Sequence, residues 1–226
     1  MIRYLSASLI GAGGIAILLS LGIWQLQRLE WKKTVLAEID AQIHAAPTEV
    51  PELGGLDPVA ARFRPVQVAG RTTGEEIHVL SGKKDIGPGY EIIAAFVTAS
   101  GRRILLDRGF VPDAAQRDPR PATELSVTGN LHWPEEADSY TPAPDLGRGI
   151  WFARDVPAMA KHLGTEPLLV VVRTSDGAAQ GIVPVPVDTA NIPNDHLNYA
   201  ITWFSLAIVW LGMTVFLLWR IRQGTD

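Results

Sequence analysis

Two long uncharged stretches, one near each end of the chain, constrain the fold more than any other feature. Residues 4–26 and 200–219 contain no Asp, Glu, Lys, Arg or His. With 23 and 20 residues, each stretch is long enough to cross the hydrocarbon core of a bilayer as an α-helix. We therefore expect a membrane protein with one transmembrane helix over 4–26 and a second over 200–219.

The first stretch has the pattern of a retained anchor rather than of a cleaved signal peptide. A signal peptide has a shorter apolar region that ends at a small-residue cleavage site. Here the apolar run continues through Trp24 and Gln25 into Arg28 and Trp31. Only three residues precede it, too few for an Arg-rich transit peptide, so we expect a multi-pass protein of the bacterial cytoplasmic (inner) membrane.

The charges beside the second helix predict the orientation. Arg220 and Arg222 follow this helix, whereas Asp188 and Asp195 precede it. Lys and Arg are enriched on the cytoplasmic side of membrane helices, and long loops translocate largely regardless of their charge. We therefore expect both termini, including a tail over 220–226, in the cytoplasm and the segment 27–199 in the periplasm.

The composition excludes several classes of function. The segment 27–199 carries 17 basic and 23 acidic residues, so we expect no nucleic-acid partner. The chain has no cysteine, which excludes disulfides, thiol nucleophiles and thiolate metal ligands. Common catalytic motifs are missing, and Ser81 and Asp107 are interpreted as a turn serine and a solvated strand-end acid. We therefore expect a protein that is not an enzyme.

The segment between the two helices has the pattern of an α+β domain. A short helix is predicted over Val156–Leu163, with Asp155 as its N-cap and Gly164 just past its end. The first apolar helix is expected to continue out of the membrane until shortly before Pro47. Turn-like segments such as TTGEE separate runs of β-favouring residues. Strands are predicted over 63–71, 76–81, 90–98, 103–108, 125–131 and 168–173. The predicted fold class is an α+β, mainly antiparallel β, extracytoplasmic domain flanked by two transmembrane helices.

Candidate binding residues lie where the two apolar helices leave the predicted membrane. Trp24, Arg28 and Trp31 are spaced i, i+4 and i+7 and share one face of the first helix, next to Gln25. Two helices joined by an outer domain run antiparallel, so the end of the first meets the start of the second at one membrane depth. Side chains from both helices are therefore expected to converge there.

The second helix contributes His196, Tyr199 and Trp203 to the same level. Two interpretations of this group remain open. Trp and Tyr commonly anchor membrane helices at the lipid interface. Alternatively, the residues form a haem site, in which the His196 imidazole is the axial ligand of the iron and Arg28 pairs with a propionate.

Six blocks of sequence occur in the order found in a known protein family. The blocks are LGIWQLQRLEWK (21–32), FRPVQVAG (63–70), GPGY (87–90), ILLDRGFVP (104–112), RDVPAMA (154–160) and NDHLNYAITWF (194–204). They extend over most of the chain and resemble the surfeit locus protein one family, which shares the two-helix topology. Members of this family are cytochrome c oxidase assembly factors of bacteria and mitochondria.

The resemblance implies a role in building subunit I of the oxidase. It implies that the protein binds haem a and assists its insertion into subunit I, with subunit I, haem A synthase and the lipid bilayer as partners. The alternative is a scaffold that holds oxidase subunits or the synthase without carrying haem. The family's histidine falls on His196, the implied ligand of the haem iron. The other implied haem-binding residues are Trp24, Gln25, Arg28, Tyr199 and Trp203.

The block RGFVP, residues 108–112, is interpreted as structural. We expect a strand end at which Gly109 allows a sharp turn and Pro112 fixes it. Asp107 stands where the family often carries Asn, and this difference is not expected to change the fold.

Overall fold

The computed structural model describes residues 2–84, 86–190 and 192–223, which form two compact units. The helix unit comprises the chain up to Glu38 and from Thr189 onward, and the barrel unit comprises Ile39–Asp188. The elements in chain order are α1 (Ile2–Ile43), β1 (Thr48–Glu49), α2 (Pro58–Ala61), β2 (Pro65–Lys83), β3 (Gly87–Thr98), β4 (Arg103–Pro112), a 3-10 turn (Asp113–Ala115), β5 (Glu124–His132), β6 (Ile150–Trp151), α3 (Val156–Leu163), β7 (Leu169–Asp176) and α4 (His196–Gln223).

The helix unit consists of α4 and of α1 up to Glu38, and both helices are long and apolar enough to cross a membrane. They contain the predicted spans 4–26 and 200–219, and large apolar side chains such as Leu9 and Ile208 are exposed on them. Because α1 ends at Ile43, it extends beyond its apolar part as predicted. Residues 224–226 of the predicted tail lie outside the described residues.

The five long strands of the barrel unit close into a barrel. β2 pairs with β3, β3 with β4, β4 with β7, β7 with β5, and β5 with β2. Within this ring of five strands the β4–β7 pairing is parallel and the other four are antiparallel, and the two-residue strands β1 and β6 add short parallel pairings with β2. The predicted mainly antiparallel class is therefore confirmed. β2 pairs with β5 through Pro65–Arg71 and with β3 through Gly70–Lys83, so this one strand closes the ring.

The prediction of a turn at the TTGEE segment is wrong. β2 continues through this segment and joins the two strands predicted over 63–71 and 76–81. Its pairing with β3 contains a bulge between Thr72 and Glu76, where Gly74 has a φ of +85°. A bulge absorbs extra residues without ending a strand, which explains why turn-favouring residues occur inside β2.

The RGFVP block contains a bulge rather than a turn at a strand end. Two consecutive residues of β3 pair with Asp107 and Gly109, so Arg108 is the additional residue of β4. Gly109 has a φ of +117°, and a Cβ at this position would lie 2.2 Å from the carbonyl oxygen of Val183. Gly109 is therefore required by the bulge and by the close approach of another backbone. The predicted turn fixed by Pro112 is wrong, because β4 continues to that residue.

The core has two layers because several strands are buried on both faces. One hydrophobic cluster takes side chains from all five barrel strands and therefore fills the barrel interior, with Phe96 and Leu106 among its members. A second cluster packs α3 onto the outside of the barrel through Met159, Ile93 and Leu105. Burial on both faces produces continuous apolar runs rather than alternation, as seen in β4 and β7.

α3 was predicted correctly at both ends. It runs from Val156 to Leu163, and the Asp155 side chain accepts a hydrogen bond from the backbone N–H of Ala158 at 3.1 Å. Gly164 follows in the left-handed conformation, with a φ of +61°. Local capping chemistry therefore sets the length of this helix, and its apolar face sets where it packs.

The C-terminal end of α1 is fastened within the barrel unit by two side chains. The carbonyl oxygen of Ile43 accepts hydrogen bonds from Asn130 Nδ2 and from an Arg173 guanidinium nitrogen, each at 2.9 Å. The last carbonyls of a helix have no partner within it. Because Ile43 and Asn130 are fully buried, these bonds satisfy a carbonyl that water does not reach.

A buried ionic centre lies around Arg154. A guanidinium nitrogen of Arg154 lies 3.1 Å from Asp107 Oδ2 and 3.2 Å from Glu91 Oε2, and Arg154 also pairs with Glu136. Asp107 is only 2% exposed, so its interpretation as a solvated acid is wrong. Ser81 lies within β2 and donates to Glu91, so it is not a turn residue. Burial, together with the nearby Glu91 carboxylate, raises the pKa of Asp107 to about 7 despite the contact with Arg154.

The free energy of unfolding of the Asp107→Asn variant, measured relative to wild type, is expected to increase as the pH rises from 5 to 8. The folded protein holds a proton on Asp107 between about pH 4 and pH 7, where an unfolded aspartate has lost it, so wild-type stability falls as the pH rises through this range. One pKa unit corresponds to about 1.4 kcal/mol, so we expect the variant to gain at least about 1 kcal/mol relative to wild type. Denaturant unfolding at both pH values measures this difference.

Asp145→Asn is the matched control, since it removes a carboxylate that is 44% exposed. We expect this control to show no comparable change with pH. Burial, with nearby Arg154 and Arg62, also lowers the pKa of His132 to about 4, but this contribution is common to wild type and variant. An Asp107→Asn effect that is the same at pH 5 and pH 8 would contradict the prediction.

Candidate functional site

α1 and α4 pack closely because glycines of α1 lie directly against side chains of α4. A Cβ at Gly11 would lie 2.1 Å from Thr214 Cγ2, and one at Gly14 would lie 2.3 Å from Trp210 Nε1. Trp210 Nε1 donates a hydrogen bond to the carbonyl oxygen of Gly11 at 3.1 Å. Small residues that let helix backbones approach are typical of helix pairs in membranes.

One hydrogen bond between side chains joins the two helices at the predicted site. His196 Nδ1 lies 2.8 Å from Gln25 Oε1. An amide oxygen only accepts, so the His196 nitrogen donates, and in the neutral ring the Nε2 lone pair is left for a ligand. Gln25 is 9% exposed, so this bond is largely shielded from solvent. Histidines that bind metals commonly donate their other ring N–H to a carbonyl or carboxylate in this way.

The predicted aromatic residues differ in their surroundings. Trp24 and Tyr199 are 53% and 57% exposed and are accessible to a ligand or to lipid. Trp203 is partly buried, and its Nε1 has no hydrogen-bond partner among the described residues. The Arg28 guanidinium lies 3.8 Å from the ring centroid of Trp31, so it stacks on its own helix. Of the predicted site residues, the structure thus joins Gln25 and His196 directly.

The site does not have the ligands of a mononuclear metal centre built from side chains. Within residues 2–84, 86–190 and 192–223, no group of three or more His, Asp or Glu side chains is placed to hold a metal ion. A single imidazole suits a metal whose remaining ligands come from a macrocycle.

Sequence reasoning missed two polar clusters in the barrel unit. The first is the ionic centre of Asp107 and Arg154, and the second is a cavity lined by Arg108 and Arg173. The signal was present in the run ILLDRGFVP, where two charged residues interrupt an otherwise apolar strand. Charged residues inside a strand that is buried on both faces require partners or a ligand.

Together, the fold and the helix pair define a class: a small β-barrel protein with apolar helices at both ends and a histidine between them. A model described as the SURF1 family matches residues 12–208. The chain therefore belongs to the SURF1 family, which confirms the resemblance seen in the six sequence blocks.

The chain is similar along most of its length to proteins from animals and bacteria. It is 30% identical to a SURF1-like protein of Caenorhabditis elegans over an alignment of 230 positions, gaps included, which covers 87% of this chain and 69% of the relative. It is 28% identical to Surfeit locus protein 1 of Rattus norvegicus, covering 82% and 67%. A SURF1-like protein of Rickettsia felis is 29% identical, covering 85% and 88%.

Gly14→Leu is expected to separate α1 from α4, because the new side chain would overlap the Trp210 ring. Overpacking of this kind costs about 1–3 kcal/mol. Ala7 of α1 and Met213 of α4 line the same cleft, and the chain has no cysteine of its own. If both are replaced by cysteine, the rate at which the pair forms a disulfide reports how closely the two helices pack. We expect a severalfold slower rate in Gly14→Leu.

Gly13→Leu is the matched control, because a Cβ at Gly13 meets nothing within 4 Å. Both substitutions add the same side chain to the same turn of α1. Equal cross-linking rates in the two variants would show that the glycine contact does not hold the helices together.

Proposed function

We propose that this protein is an assembly factor for cytochrome c oxidase that binds haem a and assists its insertion into subunit I. Membership in the SURF1 family supports a role in oxidase assembly. The observation that carries the haem proposal is the hydrogen bond between His196 and Gln25, which leaves Nε2 of a neutral imidazole for an iron ion. The proposed role is binding and delivery, not catalysis.

Haem a would supply an iron ion, an apolar macrocycle and charged propionates. In this proposal His196 would hold the iron through Nε2, and Gln25 would hold the imidazole in the required tautomer. Trp24, Tyr199 and Trp203 provide aromatic surface for the apolar ring. Arg28 keeps N–H donors for a propionate while its flat face stacks on an aromatic ring of α1.

We also propose a membrane location and two protein partners. α1 and α4 span the bacterial cytoplasmic membrane, both termini are cytoplasmic, and the barrel unit lies in the periplasm. Haem A synthase supplies the cofactor, and subunit I of the oxidase receives it. The apolar helices support the membrane location by their length and composition.

A scaffold role is the second candidate. The exposed Trp24 ring and the stacking of Arg28 on Trp31 are also what an interfacial membrane anchor requires. In that case the protein holds oxidase subunits or haem A synthase, and His196 takes part in helix packing only. The two candidates differ in whether the cofactor signal depends on His196.

His196→Ala is expected to abolish or shift the haem a Soret and α bands of the detergent-solubilised protein co-expressed with haem A synthase, because the axial nitrogen is lost. Added imidazole is expected to restore the bands in part, since it fills the space of the missing ring. Gln25→Leu is expected to weaken binding without removing the ligand. Absorption spectra of the purified variants measure these effects.

His44→Ala is the control, because it removes an exposed histidine from the barrel unit. We expect its spectrum to match that of wild type. A colourless wild-type protein, under conditions where haem A is demonstrably made, would favour the scaffold role instead. The same conclusion would follow if His196→Ala kept full oxidase activity in cells.

A further inference from the structure

A cavity of about 320 Å³ in the barrel unit has an unusual combination of lining residues. Its volume is at the lower end of the range of small-molecule sites. Arg108 from β4 and Arg173 from β7 line it, together with the hydroxyl-bearing Thr174 and Ser175. The apolar part of its lining includes Leu125, Val172 and Ile182. The cavity thus combines two cations and two hydroxyl groups with an apolar wall.

Arg108 is a buried cation without an acidic partner. It is 6% exposed, and its guanidinium donates to the Gln180 side-chain oxygen at 2.6 Å and to the Ala178 carbonyl oxygen at 3.1 Å, both uncharged acceptors. In the described parts of the chain, no carboxylate lies within 4.0 Å of Arg108 or Arg173. Burial of a charge is costly unless it is paired.

Two other arginines that are shielded from solvent are paired with carboxylates. Arg120 lies 2.8 Å from Glu76, and Arg154 contacts three carboxylates. Burial lowers the pKa of Arg108, although Glu76 opposes this effect from a distance. Glu76 is already bonded to Arg120 and to His78, so it does not neutralise Arg108.

Backbone irregularities occur at Arg108, which lines the cavity, and at Gln180, which accepts a hydrogen bond from its guanidinium. Arg108 is the bulged residue of β4, and bulges commonly re-aim a side chain. Gln180, which holds the guanidinium, has a φ of +53°, and its Nε2 donates to the Pro121 carbonyl oxygen at 2.9 Å. A non-glycine residue at positive φ costs energy and is typical of functional sites. The surrounding structure therefore maintains a strained conformation around this unpaired cation.

We propose that Arg108 and Arg173 form a binding site for a small phosphate-bearing molecule that carries an apolar group. The planar guanidinium matches a phosphate through paired N–H donors, and Thr174 and Ser175 add hydroxyl donors. Leu125, Val172 and Ile182 contact the apolar group. This site lies wholly within the barrel unit and does not depend on the haem proposal.

Isothermal titration of the full chain in uncharged detergent and low salt tests this site. The probes are inorganic phosphate, hexyl phosphate and the short-chain lipid dihexanoylphosphatidylglycerol. We expect saturable binding of hexyl phosphate by wild type, and binding weakened at least about tenfold in Arg108→Met and in Arg173→Met. Arg148→Met, which removes a 77% exposed arginine outside the cavity, is the control and should bind as wild type does.

Thermal unfolding without added anion separates loss of the site from loss of the fold. Arg108→Met removes an unpaired buried charge, so its melting temperature is expected to equal or exceed that of wild type. If Arg108→Met does not fold, Arg173→Met decides, because that side chain is only partly buried and the Ile43 carbonyl oxygen, to which it donates, keeps its hydrogen bond from Asn130.

The probes also distinguish the sources of the oxyanion. Equal affinity for inorganic and hexyl phosphate would assign the site to a simple oxyanion and overturn the apolar part of the proposal. Tighter binding of hexyl phosphate supports an amphiphilic anion, and still tighter binding of the lipid identifies a phospholipid headgroup as its source. Absence of saturable binding of all three probes by wild type, or equal binding by wild type and both cavity variants, would overturn the proposal.

Discussion

The double pairing of β2 is the constraint on which the barrel unit depends. One 19-residue strand forms ladders with both β3 and β5, so it supplies backbone hydrogen bonds to two sides of the barrel at once. Closure removes the open edges of the five-stranded ring and creates an interior that apolar side chains fill. The outer face then remains for α3. The ionic centre takes its carboxylates Glu91 and Asp107 from β3 and β4, and the arginine-lined cavity takes its cations from β4 and β7, all strands of this ring.

The helix unit depends on a different balance of forces. Helices in a membrane have little hydrophobic driving force between them, so helix pairs of that kind are held by close packing and hydrogen bonds. The glycines of α1 provide the close packing, and the bonds from Trp210 to Gly11 and between His196 and Gln25 provide specific contacts. Gln25, one of the side chains that join the helices, therefore also sets which ring nitrogen of His196 carries the proton.

Local patterns in the sequence predicted the parts of the structure that local forces determine. The uncharged stretches gave the positions of α1 and α4, and the capping residues Asp155 and Gly164 gave α3. The convergence of Gln25 and His196 followed from the antiparallel path of two terminal helices. Ring closure, the bulges at Gly74 and Arg108 and the burial of Asp107 did not follow, because each depends on partners distant in the chain. Turn-favouring residues and charges in a strand have the same local pattern whether they lie in a loop or at a buried bulge.

The close approach at Gly109 brings β4 against the segment around Val183. The backbone of Val183 lies where any side chain at position 109 would be, and Val183 also exchanges two backbone hydrogen bonds with Phe110. The segment that carries Gln180 leads directly into this contact. A larger residue at 109 would push that segment away and release the guanidinium of Arg108. In a genetic screen such a substitution would resemble the loss of Arg108, although Gly109 itself is not a residue of the proposed anion site.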